Sequence, residues 1–135
     1  MPTSILLPLD GSERSTRAGD AALDRAETAD CTVHALYVVD TARYGEPALS
    51  SAEALVDEAE DRGRDRLAEF VARARDRGVD VETRCCHGRP AEELLAYARA
   101  VDADEVLLYR RVPHAVRDQL ADVADRIHGT GRPVA

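Results

Sequence analysis

"SILLPLDGSERSTRAGDAALDRA", Ser4 to Ala26, is the stretch on which the fold turns. The run Ser4 to Leu9 is short and apolar, as a buried strand is, and Asp10-Gly11-Ser12 breaks it. Pro8 lies inside the run, which a central strand tolerates only near its end. Beyond the break the period changes. Ala18, Ala22, Ala26 and Ala29 fall on one stripe, so the spacing predicts a helix from Ser15 to Ala29. Ser12 or Ser15 can cap its first amides, and the small alanines let it lie close to a sheet.

The same alternation continues outward. Thr32 to Val39 reads as a second strand with both faces largely apolar, as a sheet covered on two sides requires. Asp40 to Ser50 carries Gly45 and Pro47 and reads as a loop. Ala52 to Arg77 is a long helix, with Leu55, Val56, Ala59, Leu67, Phe70, Val71 and Ala74 at helical spacing and Gly78 closing it. Val79 to Cys86 is the third strand. Gly88-Arg89-Pro90 turns the chain into a helix over Ala91 to Val101, with Leu94, Leu95 and Ala98 facing in. Val106 to Tyr109 is the fourth strand. Pro113 opens a last helix with the stripe Val116, Leu120, Val123, Ala124 and Ile127, ended by Gly129 and Gly131. Only Pro133-Val134-Ala135 remains, short of the roughly five residues of a typical strand, so a fifth strand is expected to be truncated or absent. Strands alternating with helices imply right-handed βαβ units, a mostly parallel sheet and one α/β domain over residues 1–135.

Composition narrows the function. There are 26 acids against 18 bases, a net charge of −8, and every base is arginine. An acidic surface repels phosphates, so nucleic acid is not an expected partner. No window approaches the roughly 18 apolar residues of a membrane span, and "MPTSILLPLDGS" lacks a basic, apolar leader, so a cytoplasmic protein without a membrane partner is expected. Genomic base composition contributes to the excess of Arg, Ala and Asp. A salt-rich cytoplasm, the halophilic reading, explains it more sharply, because salt screens repulsion between carboxylates. A fold that loosens in dilute buffer and melts higher in molar KCl is then expected.

Chemistry is sparse. Cys31, Cys85 and Cys86 make an odd count with two neighbours, which is no disulfide framework. "CCHG", Cys85 to Gly88, lacks the second cluster that a metal site needs, so no metal is expected and the thiols read as small apolar residues. His34, His87, His114 and His128 lie in different elements, and no acid, base and nucleophile assemble, so a catalytic site is not expected. Ligands in open parallel sheets bind outside the carboxyl ends of strands where the order reverses. If strands 1 and 4 are adjacent, Asp10 and Gly11 face Tyr109, Arg110 and Arg111 across one crevice. Asp10 can accept from ribose hydroxyls there, and Gly11 lets backbone approach. A turn followed by a helix cap accounts for Asp10-Gly11-Ser12 without any ligand.

These segments are similar to the universal stress protein family. "ILLPLDGSERSTRAGDAALDRA" resembles its opening strand, Pro-x-Asp-Gly-Ser turn and Ala-rich helix. "VHALYVVD" looks like its second strand, and "HGRPAEELLAYARAVDADEVLLY" like its Gly-x-Pro turn, third helix and fourth strand. "VADRI" and "RPVA" resemble its last helix and the start of its last strand. The resemblance implies a flavodoxin-like, adenine nucleotide alpha hydrolase-like fold with strand order 3-2-1-4-5 and helices on both faces. It implies adenosine contacts at Asp10 and Val38, with Pro8 and Gly11 alongside, in members that bind ATP through Gly-x2-Gly-x9-Gly-Ser/Thr. Here the first two glycines fall on Tyr109 and Val112, and the later pair falls near Ala121 and Asp122 with one residue fewer between.

Those glycines supply unusual backbone angles and open amides to phosphate. β-Branched Val112 suits positive φ poorly, Asp122 repels phosphate, and Tyr109 takes volume that a sugar or base needs. The expectation is therefore a stress-response regulatory or interaction protein, not an enzyme. It holds no cofactor in the family's ATP mode and acts through itself or another family member, with a homodimer possible in principle. The family's last strand often pairs across a dimer, which here needs a longer strand or another surface. The alternative is an ATP- or AMP-binding regulator, with slow hydrolysis left open, that uses Asp10 and the guanidinium groups of Arg110 and Arg111 in place of the glycine loop. Against it, surface arginines commonly balance neighbouring acids.

Overall fold

The computed structural model describes residues 3–43, 50–129 and 133–134. In chain order the elements are β1 (Thr3–Leu9), α1 (Glu13–Thr28), β2 (Cys31–Asp40), a 3-10 turn (Thr41–Arg43), α2 (Ser50–Asp76), β3 (Asp80–Gly88), α3 (Pro90–Ala100), β4 (Glu105–Leu108), β5 (Val112–Pro113), α4 (His114–Val123), β6 (Arg126–Gly129) and β7 (Pro133–Val134). Five strands form one parallel sheet in the order β3-β2-β1-β4-β6, while β5 pairs with β7 apart from it. This is the expected 3-2-1-4-5 order, with β6 as a fifth strand of only 4 residues.

The period of two along β1 sorts its side chains between two cores. Ile5, Leu7 and Leu9 join Val33 and Ala35 of β2 under Leu23 of α1 and Leu67 and Phe70 of α2. Leu6 faces the other way with Leu36, Val106 and Leu108, under Leu94 and Leu95 of α3 and Leu120 of α4. Ile5, Leu6 and Leu7 are wholly buried, and each such side chain is worth about 1.5–3 kcal/mol of transfer from water. In α2, Gly63 has a packing reason: a Cβ there would lie 2.4 Å from the Tyr37 ring.

The turn after β1 follows local chemistry. Gly11 adopts φ +82°, which L side chains rarely accept. The Asp10 carboxylate accepts from the Ser12 amide at 2.9 Å, and the Ser12 hydroxyl accepts from the Ser15 amide at 3.2 Å, capping α1.

The carboxyl-terminal third departs from the sequence reading. The helix that carries Val116 and Leu120 ends at Val123, where Ala124 turns extended (φ −107°, ψ 140°), and Ile127 lies in β6. The cause is tertiary. β4 has an open edge, and Arg126–Gly129 fills its ladder, pairing Glu105 with Arg126 through Leu108 with Gly129. Ile127 still packs on the core beneath α4, so one apolar pattern serves helix or strand. Pro133 and Val134 pair with Val112 and Pro113 and not with the main sheet. In α2, Leu55 is 47% exposed and leaves the expected core stripe. Asp40 and Ser50 belong to β2 and α2, whereas Gly45, Pro47, Gly131 and Ala135 lie outside the described residues.

Candidate functional site

β4 lies against β1 on the side opposite β2, so the chain order reverses between them and their carboxyl ends diverge. An open cleft of about 700 Å³ results, within the range of ligand sites. Pro8, Asp10 and Gly11 enter from β1 and its turn, Val38 from β2, and Arg110 and Arg111 from the segment after β4. The structure thus gathers all six residues singled out from sequence. It adds Arg62 of α2, which sequence reasoning missed, and Leu94 of α3, which was expected to face in and also borders the cleft. Arg62 stands among many charged residues of α2, and no spacing distinguishes it.

Asp10 and Tyr109 are joined across the cleft by a hydrogen bond in which the phenol donates to the carboxylate. Burial raises the Asp10 pKa, but the bonds from Ser12, Ser15 and Tyr109 outweigh it and leave the carboxyl below its ordinary value. Burial, reinforced by the Asp10 charge, pushes the Tyr109 phenol far above its ordinary value. Tyr109 therefore stays a donor and Asp10 an ionised acceptor. The Tyr109 side chain does not fill the recess: the residue is 6% exposed, sits in the wall, and the cleft stays open in front of it.

Beyond Tyr109 the backbone is not a free loop. Val112 is 5% exposed, packs with Leu108 and Leu120, and pairs with Pro133. Ala121 and Asp122 are exposed on α4 and do not line the cleft, so the expected repulsion from Asp122 has no place there. Arg110 and Arg111 are exposed, and among the described residues neither makes an ion pair, contrary to the expectation that neighbouring acids balance them.

The remaining reactive side chains disperse. Cys85 joins the core beneath α2 and Cys86 the opposite core, as alternation on a strand dictates. Burial and Glu93 push the Cys86 thiol up to about 11, which keeps it protonated. His87 lies 2.8 Å from Glu60, buried His34 stacks edge-on to Tyr97, and His114 is exposed at the start of α4. At the amino end of the sheet, buried Glu105 takes both contacts of the Arg25 guanidinium, one at 2.7 Å, and lies 3.1 Å from His128.

A sequence model of the universal stress protein family matches residues 1–128. The chain belongs to that family. A curated universal stress protein of Methanocaldococcus jannaschii is 32% identical over 105 residues, 77% of this chain and 62% of that relative, so the chain spans under two thirds of its length. The crystal structure of a universal stress protein family member from Burkholderia pseudomallei is 30% identical, covers 98% of this chain and 96% of its own, and superposes with a TM-score of 0.73. A universal stress protein family structure from Arabidopsis thaliana, described with AMP bound, is 18% identical with a TM-score of 0.67, covering 98% of this chain and 94% of its own. Within this universal stress protein, the cleft between β1 and β4 is the candidate site, because the residues singled out from sequence converge there. Its wall keeps Asp10 and Val38 but carries Tyr109 and Val112 where the resemblance calls for glycine.

Proposed function

We propose that this chain is a stress-response regulatory and interaction protein that does not hold ATP in a glycine cradle and is not an enzyme. The observation that supports this reading is the state of the backbone after β4. Val112 is buried and lies in a strand pair, and the segment lines the cleft with the side chains of Tyr109, Arg110, Arg111 and Val112 where a glycine loop would leave bare backbone. The Tyr109 hydroxyl, meanwhile, already engages Asp10 and so competes with a ribose hydroxyl for that carboxylate. The protein acts in the cytoplasm through contacts with itself or another family member, and neither nucleic acid nor membrane takes part. Among the described residues no helix is long and apolar enough to cross a membrane.

A second reading has its own observation. Arg110 and Arg111 stand exposed at the rim of an open cleft, neither in an ion pair among the described residues, and Arg62 lines the same cleft. Guanidinium groups bind phosphate well, and the Arabidopsis relative is described with AMP bound. A regulator that takes AMP or ATP on side chains, with Asp10 and Val38 toward the adenosine, fits this observation. Calorimetric titration separates the two. The first reading expects no heat of binding for ATP. Micromolar ATP binding abolished by Asp10→Ala sinks it, and binding of ATP or AMP abolished by Arg110→Ala with Arg111→Ala establishes the second.

A further inference from the structure

The two edges of the main sheet are unequal. β6 offers 4 residues, while β3 offers 9, paired with β2 on one side and with nothing among the described residues on the other. A long open edge presents a row of backbone donors and acceptors that a second strand can satisfy. We propose that the outer edge of β3 is a self-association surface, where a second copy of this chain pairs antiparallel about a two-fold axis through Thr83. The proposal rests on the self-association named above and gives it a location.

Charge complementarity selects the occupant and the register. A two-fold axis perpendicular to a continuous sheet must pass through a residue, because directly opposed side chains share a face. An axis through Glu82 sets that carboxylate against its own copy, and an axis through Arg84 does the same to the guanidinium. An axis through Thr83 sets Glu82 against the second copy's Arg84 and, by symmetry, Arg84 against the second copy's Glu82. On the opposite face it sets Val81 against Cys85 twice. Charges on an edge strand ordinarily discourage pairing; in this one register they attract. Both are accessible: the Glu82 side chain lies 3.3 Å from His34 of its own chain yet is 70% exposed, and Arg84 is exposed, lying over the Tyr97 ring.

The neighbouring surface extends the contact. Between α2 and β3 runs a groove of about 590 Å³ whose floor includes Leu67, Ala68, Val71 and Ala72, with the arginines Arg64 and Arg75 also lining it. The small exposed side chains of Ala68 and Ala72 let a second α2 approach as the strands pair. Neither Glu82, Thr83 nor Arg84 lines the cleft at the carboxyl end, so pairing leaves it open.

The test is sedimentation equilibrium of the full chain at moderate salt, since molar salt screens the two pairs. The chain is expected to dimerise, and Glu82→Arg or Arg84→Glu alone is expected to raise the dissociation constant ~10-fold or more, because each places like charges opposite each other twice. An equimolar mixture of the two variants restores the dimer, because one copy then carries two positive groups and the other two negative ones. The doubly swapped chain, Glu82→Arg with Arg84→Glu, restores it too and guards against a variant that folds poorly. A chain that stays monomeric overturns the proposal together with self-association. A dimer that ignores the single reversals, or that neither the mixture nor the double swap restores, leaves self-association standing and removes it from β3.

Discussion

The two ends of the parallel sheet treat arginine in opposite ways. At the amino end, Arg25 is locked onto a carboxylate that is 6% exposed, and His128 approaches the same oxygen that takes one of the Arg25 contacts. At the carboxyl end, Arg110 and Arg111 stand in the open beside a cleft, with no ion pair among the described residues. A buried charge must be paired and hydrogen-bonded or it costs several kcal/mol, whereas an exposed one is hydrated at little cost. The first arrangement is therefore structural, holding α1, β4 and β6 together. The second is solvent-facing and, among the described residues, ties no elements together. Arginines alike in sequence thus divide by environment into a clamp and a rim.

The sharpest way to break this contrast is to remove the buried acid. Glu105→Gln leaves the Arg25 guanidinium without its counter-charge beneath the sheet. Removing one partner of a fully buried pair is strongly destabilising; Arg25 is 37% exposed, so a smaller loss, still the largest among these variants, is expected in urea denaturation. The pH dependence has a definite sign. The Arg25 hydrogen bonds, opposed by burial and aided by His128, hold the Glu105 carboxyl below its ordinary 4.5. A depressed carboxyl contributes stability that is fully present above 4.5 and is lost as pH falls through the lower folded value. Glu105→Gln is expected to flatten that acid limb. A variant as stable as the parent, with the same acid limb, would mean that the clamp contributes nothing.

How far the sequence shows this depends on whether a feature is local. The change of period at Asp10 is local, so β1, its turn and the α1 cap are legible from a dozen residues. The candidate site is legible only in part for that reason: Asp10, Gly11, Arg110 and Arg111 read as strand-end residues, whereas Pro8, Val38 and the strand order come from the family resemblance. Pro8, Asp10, Gly11, Val38, Arg110 and Arg111 all lie at or near strand ends, and the strand order then brings them together. The carboxyl-terminal third is not legible, because Val123, Ala124 and Ile127 fit a helical stripe while the vacant edge of β4 recruits Arg126–Gly129 as a strand. The clamp is invisible too: Arg25 and Glu105 are 80 residues apart, and nothing near either marks it as paired. Tyr109 was legible as a bulky residue at a glycine position, but its burial in the wall depends on packing that no single stretch encodes.

Tyr109→Phe probes the other end with a smaller expected effect. It deletes the hydroxyl that reaches Asp10 and keeps the ring in the wall, so the loss is about 1 kcal/mol, the worth of one hydrogen bond. The Asp10 carboxyl, relieved of one donor, is expected to titrate higher by carbon-detected NMR, while Ser12 and Ser15 still hold it below its ordinary value. An unchanged Asp10 titration would show that the phenol does not bridge β1 and β4.

The smallest effect discriminates best between clamp and rim. Arg110→Ala combined with Arg111→Ala removes two positive groups from a protein of net charge −8, yet neither group is buried or ion-paired among the described residues. Stability is expected to move by no more than about 0.5 kcal/mol in the same urea titration that reports Glu105→Gln. A loss above about 1 kcal/mol would place these arginines in the framework and close the contrast between the two ends. If the change stays small, the two guanidinium groups contribute nothing to holding this chain folded, and the phosphate-binding reading keeps the donors it requires.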